Sequence, residues 1–278
     1  MKNLILFLIP LLFLGCKKDE MPIEVSEGTR LMKMEYFTSG QSLSGNPDEI
    51  RKFFYDDQER LIGMDRYVDT LTIPMMKYRK EYNIHGNLEK ISSSKLENGN
   101  YELTSFYEFY TNQETQQIEK ATKFFVPHEG GDPQKSYERH FIYNEYNQIV
   151  LDTISISNFQ FSNQFPINFK YHWEENNVAK IEKYLINGKM ARGVELKYDG
   201  KNNPDPSKQI KDLFMPRSAI IPVGLNNIIE AKYYDFTGSG PRRVCNPCRT
   251  TYKYNSSGFP YYLNHDNRYS IIYTYEKE

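Results

Sequence analysis

The chain has almost no net charge, few cysteines, a single tryptophan and only one long apolar run. With 35 Lys and Arg against 36 Asp and Glu, its formal net charge is −1, which leaves no electrostatic footprint for nucleic acid or an anionic lipid surface. The histidines at 85, 128, 140, 172 and 265 are scattered, and no HExxH pair occurs to hold a catalytic zinc. GxSxG, a P-loop and a strand-borne GxGxxG are missing as well, so there is no nucleophile elbow and no phosphate cradle. No catalytic residue, metal or cofactor is expected from these absences. Glu129-Gly130-Gly131-Asp132 lacks the further spaced acids of a calcium loop.

The apolar run, Leu4 to Leu14, is broken by Pro10 and is too short to span a bilayer as a helix. Lys2 precedes it and Phe13-Leu14-Gly15-Cys16 ends it. A small residue followed by Cys after an apolar core resembles a bacterial lipobox. That resemblance implies cleavage before Cys16, acylation of Cys16 with palmitate-like chains, a signal peptide over 1–15 and a lipid-anchored tether over 16–28; an ordinary secretory signal is the alternative. Lys17-Lys18-Asp19-Glu20 resembles the export tract of surface lipoproteins, which implies the outer face of the outer membrane, with its periplasmic face second. Cys245 and Cys248 form CNPC. Outside the cytoplasm this reads first as a loop disulfide, with half a metal site or a redox pair as alternatives.

What the chain does have is tyrosine: 23 of them, with 17 Phe, both strand formers. Tyr55, Tyr82, Tyr110, Tyr143, Tyr171, Tyr198 and Tyr254 recur at about 28 residues or, once, twice that, a period that signals repeated supersecondary units. The flanking residues alternate. Met76, Tyr78 and Tyr82 share one side, with Lys80 as an exception, and Lys77, Arg79 and Glu81 share the other. Phe169, Tyr171 and Trp173 likewise oppose Lys170, His172 and Glu174. Period two with one apolar face means half-buried strands. After each Tyr stand turn formers such as Asn83-Ile84-His85-Gly86-Asn87, so each phrase is the corner of a β-hairpin. Leu88 and Ile91, three apart, share a face only if a bulge intervenes.

The carriers Tyr82-Asn83 with Gly86-Asn87-Leu88, Tyr171 and Trp173 with Asn177-Val178, Tyr198-Asp199 with Asn202-Asn203-Pro204, Asn226-Asn227-Ile228, and Tyr252/Tyr254 with Gly258-Phe259-Pro260 resemble tyrosine-aspartate (YD) repeats. More closely, they resemble an uncharacterised family of outer-membrane lipoproteins with porin-like β folds. The corner glycine is missing at Arg60 and Gln148. The resemblance implies no catalytic residues. The expected fold is all-β: one domain over 29–278, an antiparallel hairpin-repeat β-barrel, closed or nearly closed, with aromatics inside and charges facing water. A curved sheet folded into a two-layer sandwich is the alternative. Closure is favoured because open sheets rarely exceed about ten strands and because it removes edges. The insertion 201–225, with a short helix over 207–215, is expected to fill or cap the barrel.

The expected function is a lipid-anchored cell-surface module that binds or supports without catalysis. Trp173, Tyr261 and Tyr262 are candidates for stacking on glycan rings. The alternatives are an enzyme acting on extracellular polymers through two carboxylates, or a subunit of an outer-membrane complex with an envelope protein partner. Asp152-Thr153-Ile154 resembles a short bacterial O-glycosylation acceptor.

Overall fold

A computed structural model describes residues 30–38, 43–68, 71–128, 130–156, 167–203, 226–236, 242–243, 248–266 and 268–276. All regular structure among them is β: β1 (Leu31–Thr38), β2 (Glu49–Tyr55), β3 (Leu61–Val68), β4 (Met76–Tyr82), β5 (Leu88–Glu97), β6 (Asn100–Thr111), β7 (Ile118–Phe125), β8 (Gln134–Tyr143), β9 (Ile149–Ser155), β10 (Ile167–Glu174), β11 (Asn177–Tyr184), β12 (Met190–Asn202), β13 (Asn226–Asp235), β14 (Arg242–Arg243), β15 (Cys248–Tyr254), β16 (Pro260–His265) and β17 (Tyr269–Tyr275). Neighbours in sequence pair antiparallel, and β1 pairs with both β2 and β17, so the sheet closes. β14 lies against the end of β13 and β15 against its middle. Counting them as one interrupted strand turns the 17 strands into a 16-stranded ring. An even count is what lets the first and last strands of an all-antiparallel ring meet. The barrel is closed, and the sandwich alternative falls. Residues 204–225, including the expected helix, lie outside the described residues.

One unit is repeated round the ring. In the hairpins β2–β3, β4–β5, β6–β7, β8–β9, β10–β11, β12–β13 and β15–β16, the register slips by one residue next to the corner. Tyr82 faces Leu88 while Glu81 faces Lys90, which is the bulge that the Leu88–Ile91 spacing demands. The corner turns are closed by their first side chain. Asn83 Oδ1 accepts from the amides of His85 and Asn87, each at 3.0 Å; Asp56 and Asn144 do the same in their turns. The left-handed residue is Gly86 (φ 80°) in one corner and Gly258 (φ 81°) in another. Its counterparts are Glu59 (φ 60°) and Asn147 (φ 61°), one place before the Arg60 and Gln148 expected from sequence.

The tyrosines serve these bulges. Between adjacent hairpins the ladder stops short of the corner: β3–β4 ends at Gly63↔Arg79, leaving the Leu61 carbonyl without a strand partner. Tyr82 Oη donates to it at 2.9 Å. The same bond runs from Tyr55 to the carbonyl of Leu31, Tyr143 to Ile118, Trp173 Nε1 to Ile149, Tyr198 to Val178 and Tyr275 to Pro260, and at the β15–β16 hairpin from Tyr252 to Ile228, two places before the corner residue Tyr254, whose hydroxyl is given to Asp199. A buried carbonyl left bare is costly, so each ring both fills the core and satisfies the backbone. Burial pushes the hydroxyls of Tyr82, Tyr143 and Tyr198 up, Tyr143 to about 12, and keeps them protonated as donors. The β17–β1 junction is built the same way. Tyr275 faces Leu31 beside a register slip, and Glu276 N donates to Arg30 O at 2.9 Å just as Asn83 N donates to Asn87 O.

The rhythm read from sequence is out of phase in two units. At the third corner the facing pair is Thr111 and Ile118, and Tyr110 points outward with 63% of its surface exposed. At the fifth, the corner ring is Trp173, not Tyr171.

The inner face is packed. Leu88, Ile91, Tyr107, Phe141, Ile154, Phe169, Val178 and Leu196 belong to one buried cluster, and Leu31, Met34, Phe53, Leu263 and Tyr273 to another. The outer face carries ion pairs, across strands in Arg79–Asp65 at 2.7 Å and Lys197–Glu230 at 3.1 Å, and along one strand in Lys135–Glu138 at 2.8 Å and Lys180–Glu182 at 2.7 Å.

Replacing Tyr198 with Phe keeps the ring and bares the Val178 carbonyl; urea unfolding should show a loss of about 1–2 kcal/mol. Thr111→Tyr supplies the missing corner hydroxyl and should raise stability by roughly 1 kcal/mol in the same assay.

Candidate functional site

Charged side chains in phase with the inward rings build a polar group inside the barrel. β8 turns Tyr137, Arg139 and Phe141 inward, β9 adds Asp152, and β10 adds Tyr171. Arg139 is 1% exposed and Asp152 0%. The guanidinium forks onto the carboxylate, Nε donating to Oδ1 at 3.2 Å and Nη2 donating to Oδ2, while Tyr171 Oη donates to Oδ2 at 3.3 Å. Burial works against the charge on Arg139, but Asp152 prevails and holds its pKa above the usual value. Burial, reinforced by Asp152, pushes the Tyr171 hydroxyl well up.

Across β7, Tyr107 of β6 and Tyr137 of β8 share a hydroxyl–hydroxyl bond of 2.6 Å. β7 sets Lys123 between them in register, its Nζ 5.3 Å from the Tyr107 ring centre and 5.8 Å from that of Tyr137. Burial lowers the Lys123 pKa, and no carboxylate counters it among the described residues. Lys123 lines a cavity of about 190 Å³ with Tyr78, Ile91, Ser93, Ser105 and Tyr107. The tyrosines are locked as protonated hydroxyls and Arg139 is neutralised by its partner. Lys123 is therefore the charge in this group left available to a guest.

The residues singled out from sequence are not gathered here. Trp173 faces inward on β10, half-buried, with its Nε1–H given to Ile149. Tyr262 pairs with Lys253 and Ile272 on the outer face of β16, its hydroxyl 3.1 Å from Ser270 Oγ, and Tyr261 sits beside it at the bulge. β11, β12, β13 and β15 separate them from Trp173, so the three form no common stacking platform. Cys248 is buried and disulfide-bonded; Cys16 and Cys245 lie outside the described residues. Cys248 groups with His265 and Asp266, but a sulfur held in a disulfide offers no thiolate to a metal. His128 groups with Glu97 and Glu102; there Glu97 is already paired with Lys95 at 3.0 Å and with His128. Asp152 and Thr153 are not an accessible glycosylation site, because Asp152 is buried and Thr153 donates to Asn168 Oδ1 at 2.8 Å.

Arg139 and Lys123 escaped the sequence reading, and Asp152 entered it only within the Asp152-Thr153-Ile154 pattern. The signal was a charge at every second place among aromatics, as in Tyr137-Glu138-Arg139-His140-Phe141; it was noticed only at Lys80, which is indeed buried.

No family model matches the chain, and no curated protein does. A porin-like protein from Bacteroides vulgatus ATCC 8482 has a similar structure, with a TM-score of 0.51 at 10% identity over 90% of this chain and 100% of that one. A porin-like protein from Bacteroides uniformis ATCC 8492 gives 0.47 at 11% identity over 90% and 98%. The first likeness shows a shared β-barrel fold.

Two variants probe the charges. Asp152→Asn leaves Arg139 buried without its counter-ion and should cost about 3–5 kcal/mol in urea unfolding, whereas the apolar double replacement Arg139→Met with Asp152→Leu should cost much less. On the outer face, burial tends to raise Glu182, but hydrogen bonds from Lys180, His172 and Tyr184 hold it down at about 2 against an ordinary 4.5. A depressed carboxyl stabilises fully above its unfolded value and loses that contribution as pH falls through the folded one. Glu182→Gln should therefore lose roughly 1–3 kcal/mol at pH 7, and the gap to the parent should close as unfolding is repeated towards pH 2.

Proposed function

We propose that the chain is a water-soluble β-barrel held at the outer membrane by acyl chains on Cys16, working at the cell surface as a non-catalytic binding or structural module. One observation carries the reading: the faces of the barrel are inverted relative to a membrane pore. A lipid-spanning barrel shows hydrocarbon an apolar band about 25 Å tall and keeps a polar lumen. Here the outer positions of successive strands carry Lys77, Arg79, Glu108, Lys120, Glu138, Lys170, Glu182, Glu195 and Lys232, and the inner face holds the two apolar clusters. The lipobox-like Phe13-Leu14-Gly15-Cys16 supplies the anchor that such a surface lacks, at about 0.8 kcal/mol per buried methylene.

The enzymatic alternative needs a carboxyl held protonated to act as an acid. The described carboxyls with a shift, Glu49, Asp56, Glu97, Glu138, Glu182 and Glu230, are all shifted down, which gives that reading no support. Glycan binding would have to use rings other than a Trp173–Tyr261–Tyr262 platform.

Cys16→Ala should abolish labelling with an alkyne palmitate. A protease site placed in the 16–28 tether should, once cut, release the barrel into detergent-free buffer, and protease added to intact cells should reach it. A barrel that stays in the membrane pellet after tether cleavage would refute the reading.

A further inference from the structure

We propose that the cavity beside Lys123 binds a small organic monoanion, a carboxylate carried on a short apolar or aromatic body. The inference rests on the binding-module reading above but not on the lipid anchor. Lys123 stands on the inward face of β7, half-buried, between two aromatic rings. Ring faces solvate a cation only in part, and a buried charge without a counter-ion is expensive. Among the described residues the most deeply buried cation is paired within the barrel: Arg139 has Asp152. Among the described residues no carboxylate pairs with Lys123, and a guest carboxylate would complete it.

The rest of the cavity fixes the guest's chemistry. Ser93 and Ser105 face each other across β5 and β6 and supply hydroxyls beside the ammonium. Thr104 spends its own hydrogen on the Ser93 carbonyl at 2.9 Å, so the Ser93 hydroxyl is the donor in its long 3.4 Å contact with Thr104 Oγ1, a weak bond that a guest carboxylate would replace. Met76, Tyr78, Ile91 and Tyr107 make the remaining walls, which suit an apolar body rather than a second charge. The volume of about 190 Å³ falls below the roughly 300–1,000 Å³ of sites for drug-sized ligands, which restricts the guest to a small one.

The full chain in detergent micelles is tested by equilibrium dialysis with labelled benzoate and butyrate, with benzamide as neutral counterpart and empty micelles as blank. The carboxylates should bind saturably and benzamide at least tenfold more weakly. Lys123→Met should cut benzoate affinity at least tenfold while leaving the unfolding midpoint unchanged or higher, because it removes an uncompensated cation. Ser93→Ala should weaken binding severalfold. Benzamide binding as tightly as benzoate would overturn the anion assignment while leaving a binding cavity in place. No binding by any probe, or a Lys123→Met variant that keeps its affinity or unfolds more readily, would overturn the proposal. Loss of acylation in the Cys16 experiment would leave these results untouched.

Discussion

A carbonyl freed by a bulge, and an aromatic ring reaching across to satisfy it, is the contact on which this barrel depends. The bulge turns the strand at each corner and ends the ladder to the next hairpin early. The backbone group it strands must find a donor, because a bare one is costly. Tyrosine answers both needs: a large apolar face for the core and a hydroxyl at the right reach. That is why tyrosine makes six of the seven such bonds among the described residues. It is also why tryptophan can stand in at 173, where the indole N–H takes the hydroxyl's place.

The same contact orients the whole sheet. Where a ring near the corner points inward to reach its carbonyl, the alternate residues must point out, and period-two alternation then assigns charges to the exterior along the strand. Among the described residues the inward charges include the Arg139–Asp152 pair, Lys123 among the tyrosines and the buried Lys80. Closure, the aromatic interior and the charged exterior thus follow from one contact.

Much of this was legible in the sequence, and the misreadings have physical causes. The tyrosine rhythm and turn residues gave consecutive antiparallel hairpins, and the count of strands favoured closure. The spacing of Leu88 and Ile91 implied a bulge that proved general. The phase slipped where a second aromatic stood one or two places from the corner: Tyr110 beside Thr111, and Tyr171 before Trp173. Periodicity cannot say which of two nearby rings takes the corner; register can. The polar interior was harder, since Arg139 and Asp152 are 13 residues apart in sequence and meet only once β8 and β9 are paired. Lys123 becomes notable only through what surrounds it.

The junction of β17 with β1 carries the corner's register slip, its ring-to-carbonyl bond from Tyr275 and its amide-to-carbonyl bond from Glu276 to Arg30. It is a corner whose turn has been cut. The ring of units therefore has no privileged starting point: which hairpin comes first is a matter of where the gene is opened. A circularly permuted chain, spliced across Arg30 and Glu276 by a short turn and severed at another corner, presents the same cyclic arrangement of contacts, and the place at which a tether leaves the barrel can be chosen separately from its fold.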